Sequence, residues 1–342
     1  MQNHNEFYSQ MTDMLVYEIE NGADSWRKCW SGSASAMEGI YPRNPVSMDK
    51  GQSYRGSNVF WLWLTASFHG WDDSRWGTYN QVKKLAAETA RKEGRNIEER
   101  KRKRGNGFYY WDVDNDCLFS GGVRKGEKAT DVIFWKRLKI KDVSDNGQVV
   151  EKFIPMAKFY KVFNYAQCDG LPALPARPAP VVRDNSLDEL SQNYFDAQGI
   201  TLGFGGDRAF YAPSSDRIQM PHKDDFDGEA EFYGTLYHEM AHSTGHKDRL
   251  NRPGIVDHIR FGSASYSFEE LVAEFTSVFV MAQMGRLDVE DKTFKNSASY
   301  LRGWAKKLKK NKDWAGKAAT KARHAAEFIL QHAEVQAKKE VA

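Results

Sequence analysis

Cysteine is nearly missing from this chain: Cys29, Cys117 and Cys168 are the whole complement in 342 residues. Three scattered thiols form no disulfide framework, and none has zinc-finger spacing. Long apolar runs are missing too, since no segment approaches the ~18 consecutive apolar residues of a membrane-spanning helix. The start, Met1-Gln2-Asn3-His4-Asn5-Glu6, lacks a basic stretch leading into an apolar one. The expectation is a soluble, cytoplasmic protein with no membrane partner. Proline is scarce at ten residues, yet Pro172, Pro175, Pro178 and Pro180 crowd into one segment without periodicity. That segment reads as an extended linker, giving an N-terminal domain over 1–168, a linker over 169–182 and a C-terminal domain over 183–342. A strong excess of either charge is also lacking, with 49 Lys+Arg against 46 Asp+Glu, but the balance is uneven. Through Tyr165 there are 26 basic and 21 acidic residues, against 23 and 25 in the remainder. The basic part also carries eight of the ten tryptophans.

What is present centres on Tyr237-His238-Glu239-Met240-Ala241-His242, an H-E-x-x-H motif in a helix-compatible stretch. Positions i and i+4 share one helix face, so His238 and His242 can ligate one metal while Glu239 addresses a water beside it. Upstream, Arg208–Pro213 and Asp216–Pro221 read as a strand hairpin around Ser214-Ser215-Asp216, and an edge strand of that kind can hold an extended substrate. Downstream, a helix is expected from Ser267, with Ser267 as N-cap and Glu270 completing a capping box. Glu270 and Glu274 lie one turn apart on its apolar length, and buried carboxylates are costly unless paired or bound to a cation. The arrangement Glu270-x-x-Ala273-Glu274 resembles the gluzincin pattern, which implies Glu270 as third ligand and Glu274 orienting a ligating histidine from behind. Asp248, reached after Gly245 as in metzincins, and Glu274 itself are the competing third ligands. His246 and Arg249 read as surface residues after the helix end. Tyr211, Tyr266 and His246 are the candidate donors to a developing oxyanion.

The N-terminal half reads as mixed α/β. Helices are expected over Phe7–Ile19, Ser57–Phe68 and from a Thr78 cap through Ala90, with Trp61 and Trp63 mostly buried. Strands are expected over Phe108–Val113, Ala129–Lys139 and Phe153–Phe163, broken by Gly121-Gly122 and Asn146-Gly147 turns, forming a small curved sheet flanked by helices. Arg124, Lys125 and Lys128 lead into Phe134-Trp135-Lys136-Arg137-Leu138-Lys139, an interleaving of cations and rings suited to unpaired nucleic acid. Tyr54, Arg55, Trp76 and Tyr79 could extend that surface. The denser basic run Arg91–Arg104 could grip phosphates electrostatically, but a run of this kind reads first as a solvated loop or helix end. From Ser297 onward an amphipathic helix with a basic outer face is expected.

Asn44-Pro45, Tyr54-Arg55-Gly56-x-Asn58, Trp76-x-Thr78-Tyr79-x-Gln81, Val123-Arg124-Lys125-Gly126-Glu127-Lys128 and Phe159-x-x-Val162-Phe163-Asn164-x-x-Gln167 closely resemble the N-terminal domain of ArdC-type antirestriction proteins, shared with TraC-type plasmid primases. The His238 and Glu270 motifs resemble the zincin-like domain of the same family. The resemblance implies an α+β architecture: an N-terminal mixed α/β domain that binds single-stranded DNA, and a mainly helical zincin-like domain with a short β-hairpin. It further implies a zinc or other divalent transition-metal site and protection of incoming mobile DNA, with a host restriction or DNA-associated protein as a further partner. Primase activity is not implied, because no acidic cluster for nucleotidyl transfer is apparent. Two alternatives stay open: an intracellular metalloprotease recruited by DNA, and a DNA-binding shield whose metal is purely structural.

Overall fold

A computed structural model describes residues 4–21, 42–46, 53–102, 108–143, 149–173, 186–226, 228–257, 263–284 and 304–340. The Asn146-Gly147 turn, most of the proline-rich linker and the start of the last basic helix lie outside them. The chain divides into two compact units: Met1–Phe7 with Pro42–Ser53 and Asp73–Pro175, and Tyr8–Tyr41 with Tyr54–Asp72 and Ala176–Ala342. This differs from a single cut at the linker, because two N-terminal helices are counted largely or wholly with the second unit.

In the first unit, Thr78 caps helix α3 (Tyr79–Lys92), its backbone N–H donating to Gln81 Oε1 at 2.9 Å while Asn44 Nδ2 reaches the same oxygen at 3.1 Å. Strands β6 (Thr130–Val143) and β7 (Val149–Asn164) form one antiparallel hairpin, longer than the sequence periodicity suggests, with β1 (Trp76–Gly77) on the far edge of β7. Val132, Ile133 and Val162 bury the root of this hairpin. Beyond them Phe134, Trp135, Leu138, Phe153, Ile154 and Met156 are exposed on both faces. Over its described residues 91–102 the basic run is in part the helix end expected, and not a loop throughout. It supplies the last turn of α3 and then β2 (Ile97–Lys101), which pairs with β3 (Phe108–Asp112), followed by β4 (Cys117–Leu118). Burial of Ile97 and Tyr110 against Ala86, Ala87, Ala90 and Phe119 overrides the local charge density. Strands β5 (Gly122–Val123) and β8 (Cys168–Asp169) close a third small sheet.

The second unit is mainly helical, as expected. It comprises the larger part of α1 (His4–Asn21), then α2 (Ser57–His69) and α4 (Ser186–Gln198). Strands β9 (Thr201–Phe204), β10 (Phe210–Ala212) and β11 (Arg217–Met220) follow, then α5 (Glu229–Thr244), one turn α6 (Pro253–Val256), α7 (Ala264–Gln283) and α8 (Trp314–Glu340). The predicted hairpin is β10–β11, turned at Asp216 with φ 47°; β9 adds to it in parallel, a strand too short to be marked by periodicity. The aromatic face of α2 belongs here because Phe60 stacks on Phe275 at 4.7 Å and Trp63 meets Phe279 at 5.5 Å, both on α7. Buried Ala315, Ala318, Ala319, Ala322, Ala325 and Ala326 let α8 pack closely.

A methyl group at Gly316 of α8 would overlap the Tyr8 ring of α1. Gly316→Ala is therefore expected to cost ~1–3 kcal/mol by overpacking despite its better helix propensity. Calorimetry should show a Tm several degrees lower, largely restored in Gly316→Ala/Tyr8→Leu.

Candidate metal centre and nucleic-acid surface

Helix α5 presents the H-E-x-x-H residues toward α7. Gly245, at the C-cap of α5, has no room for a side chain, since a Cβ would stand 2.5 Å from Ile255. Helix α7 begins earlier than expected: Ser263 is its N-cap, its hydroxyl accepting from the Tyr266 N–H at 3.2 Å. Ser267 is thus inside the helix, where its hydroxyl accepts from Lys307 Nζ at 2.9 Å, and capping is not the role of Glu270.

The ligand atoms of His238, His242 and Glu270 converge, all within 4.8 Å of one another. The two Nε2 atoms are 3.1 Å apart, Glu270 Oε2 is 3.5 Å from that of His238, and Glu270 Oε1 is 3.5 Å from that of His242. A tetrahedron with metal–ligand bonds of ~2.05 Å has edges of ~3.3 Å, so the set fits a divalent ion with a fourth position left over. A carboxylate also stands behind each ring, though His242 Nδ1 makes no hydrogen bond to a described residue. Glu274 Oε1 stands 3.6 Å from His238 Nδ1, and Glu269 Oε1 stands 3.5 Å from His242 Nδ1. Asp248 is 75% exposed on its side chain and pairs with His246 at 3.5 Å, outside the cluster; the chain turns away after Gly245 and does not bring it back. Glu274 lies on the Nδ1 side of His238, away from the convergence of the two Nε2 atoms with Glu270.

Glu269 and its anchor are absent from any reading of the motif. Arg252 Nε donates to both Glu269 oxygens at 3.1 and 3.0 Å and Nη2 to Oε1 at 2.6 Å, while Nη1 reaches Thr244 Oγ1 at 2.6 Å and Nη2 the Ala241 carbonyl at 2.7 Å. Removing either partner strands a buried charge, at roughly 3–5 kcal/mol. Gly254 packs on the same carboxylate, where a Cβ would fall 2.6 Å from Glu269 Cβ. Two adjacent acids, Glu269-Glu270, are the sole sequence signal. Nor is Arg249 a surface residue: its guanidinium is buried, donating to Asp216 Oδ1 at 2.9 Å and the Ser243 carbonyl at 2.8 Å, which ties the β10–β11 turn to the end of α5.

Electrostatics follow from this clustering. Burial disfavours a charge on His238, but Glu274 and Glu270 beside it prevail and lift its pKa to about 9. Burial likewise opposes ionisation of Glu270, yet His238 and His242 hold it down at about 2. Glu269 is also lowered, burial being outweighed by His242 and Arg252, whereas Glu274 is raised by its burial. Among the oxyanion candidates, Tyr266 hydrogen-bonds Glu270 and its phenol is raised by burial and that carboxylate. Tyr211 donates to Asp216 at 2.7 Å. Glu239 is 8% exposed and hydrogen-bonds to no described residue.

The expected nucleic-acid residues separate. Trp76 and Tyr54 are 0% and 1% exposed, core side chains with no ring face for a base, and Tyr54 and Arg55 belong to the second unit. Arg124 is knotted to Glu127 at 3.1 Å, Asp169 at 3.3 Å and the Ala166 carbonyl at 2.6 Å, so much of its charge is compensated. Lys125, Lys128 and Tyr79 are exposed. Further exposed rings stand on the β6–β7 arm, with Trp135 at 51% and Phe153 at 58%. Lys136 and Arg137 lie among them without an ion pair among the described residues.

Residues 189–321 match the zincin-like metallopeptidase family, and residues 5–163 match the N-terminal domain of anti-restriction factor ArdC. An uncharacterized protein y4eC from Sinorhizobium fredii is 30% identical over 331 residues, covering 95% of this chain and 91% of that one. DNA primase TraC from Escherichia coli is 30% identical over 345 residues, but the chain spans 20% of that protein's length. Two crystal structures of antirestriction protein ArdC from plasmid R388 are similar. The metal-free one has a TM-score of 0.65 at 34% identity, covering 96% of this chain and 98% of that chain. The Mn(II)-bound one has 0.63 at 33%, covering 95% and 97%. Motif geometry, both domain matches and full-length similarity agree that the chain belongs to the ArdC family of antirestriction proteins.

Proposed function

We propose that this chain protects incoming DNA by binding it single-stranded through its first unit, and that its second unit holds a divalent transition metal, zinc by donor type, on His238, His242 and Glu270. The observation that carries the metal reading is the three-way convergence of Nε2, Nε2 and carboxylate, each imidazole backed by its own acid. Three protein ligands and an open fourth position match catalytic sites more than structural ones, which are closed by four. The R388 relative with bound Mn(II) supports a divalent ion of this class.

A bound ion there would supply Lewis acidity and ease deprotonation of a nearby water. Glu239, next to His238 and free of hydrogen bonds to described residues, would accept that proton and return it to the leaving amine of a peptide. Glu270 and Glu274 keep the His238 ring in orientation, and Tyr266 would face a developing oxyanion only after releasing Glu270. For DNA, phosphates would meet Lys125, Lys128, Lys136 and Arg137 while bases stack on Trp135 and Phe153.

Glu270→Ala and His238→Ala should each abolish stoichiometric metal by elemental analysis, whereas Asp248→Ala should retain it; metal retained in Glu270→Ala overturns the ligand assignment. Because His238 must lose its proton to ligate, metal affinity should climb about tenfold per pH unit from 7 toward 9, with a proton released in calorimetric titrations at pH 7.5. The metal-free protein should show the opposite trend. Stability from protonated His238 is complete below its ordinary pKa of 6.5 and lost as pH rises through about 9. Finally, Glu239→Gln should eliminate protection of transferred DNA in a restricting host without altering oligonucleotide affinity. An unimpaired Glu239→Gln would favour the structural-metal shield.

A further inference from the structure

The sheet β2–β3–β4 has two unlike faces. Antiparallel partners project on the same side, so Ile97, Tyr110 and Asp112 share one face, while Glu98, Arg100, Tyr109, Trp111 and Leu118 share the other. The inner face is satisfied: Ile97 and Tyr110 pack on α3, the Tyr110 hydroxyl donates to Glu99 at 2.9 Å, and buried Asp112 pairs with Arg95.

The outer face is not closed in this way. Tyr109 and Trp111 are half-buried on the central strand, two residues apart, and Leu118 beside Trp111 is 57% exposed. The Arg100 guanidinium lies 4.9 Å above the Trp111 ring. Two rings at i and i+2 on a central strand, one layered with a guanidinium, form a surface on which splayed bases stack. The cations available to a phosphate chain on this side are local, Arg100 with Lys101 and Arg102 exposed at the end of β2, since the sheet as a whole (97–118) carries five Lys or Arg against five Asp or Glu. Glu98 opposes this, taking bonds of 2.9 and 2.7 Å from Arg100. It holds the guanidinium over the ring while offsetting its charge.

We propose that this outer face is a second contact surface for single-stranded nucleic acid, on a different sheet from the β6–β7 arm; the proposal rests on the single-strand reading above. A duplex keeps its base faces stacked inside and would not use the two rings. An acidic polypeptide would meet the cations but has no need of Tyr109 and Trp111.

The test is fluorescence anisotropy of the full chain with labelled oligothymidylates, short and long, at two salt concentrations. Tyr109→Ala/Trp111→Ala should weaken long oligonucleotides about tenfold with little change in salt dependence. Arg100→Ala/Arg102→Ala should weaken them and lower the salt slope by roughly two. Glu98→Gln should tighten binding several-fold, a gain that no folding defect imitates and that decides alone if circular dichroism shows the aromatic variant misfolded. Wild-type affinity in folded sheet variants, no gain in Glu98→Gln, or capture of poly-glutamate in place of the oligonucleotide overturns the proposal. Lys136→Ala/Arg137→Ala, run in parallel, separates the two readings. Loss through the arm alone removes the second surface and keeps the first, loss through the sheet alone does the reverse, and loss through neither removes both.

Discussion

Two imidazoles share one cation only when the rear nitrogen of each ring is held, because a free ring rotates and the wrong tautomer presents a proton instead of a lone pair. Glu274, 3.6 Å behind His238, and Glu269, 3.5 Å behind His242, stand where such a hold would come from. Together with Glu270 they place three carboxylates of one helix, α7, against two histidines of another, α5. Such a concentration of buried charge is tolerable only if each group is compensated. The compensation is visible: Glu270 against both histidines, and Glu269 against Arg252.

The rest of the second unit keeps α5 and α7 in register. Ser277 Oγ donates to the Gly234 carbonyl at 2.7 Å, bridging the two helices directly. Phe60 and Trp63 of α2 press on the side of α7 bearing Phe275 and Phe279, and the alanine-lined α8 approaches closely enough for the Thr276 hydroxyl to reach the Ala322 carbonyl at 3.4 Å. Arg249 and Arg252, both after the motif in sequence, return to its last turn and fix Asp216 and Glu269 respectively. A slip of either helix would therefore break polar contacts that water cannot replace, which favours one arrangement over near alternatives.

In the first unit the logic is reversed. Small cores anchor strands whose outer lengths are left open. The β6–β7 hairpin is rooted by Val132, Ile133 and Val162 and then carries rings and cations outward; β2–β3–β4 is rooted by Ile97 and Tyr110 and presents Trp111 with Arg100. Exposed apolar side chains cost little on a strand already paired by backbone hydrogen bonds, and they keep stacking surfaces available.

Local chemistry alone determined much of this protein. The spacing of His238, Glu239 and His242 dictated one helical face, and the carboxylates at Glu270 and Glu274 marked the facing helix. The Thr78 cap and the alternating pattern of the long hairpin were equally local, since capping and period-two patterning act over a few residues. What the sequence could not determine depended on distant partners. That Glu270 and not Asp248 stands beside the two imidazoles, that Glu269 lies behind His242, and that Arg252 and Arg249 are buried all follow from how α5, α7 and the intervening turn meet. Tyr54 and Trp76 look like their exposed counterparts in composition; only tertiary packing decided that they are core while Trp135 is open. The same holds for the basic run, where burial of Ile97 and Tyr110 sets Ile97–Lys101 in a strand, because apolar burial with long-range pairing outweighs local charge repulsion.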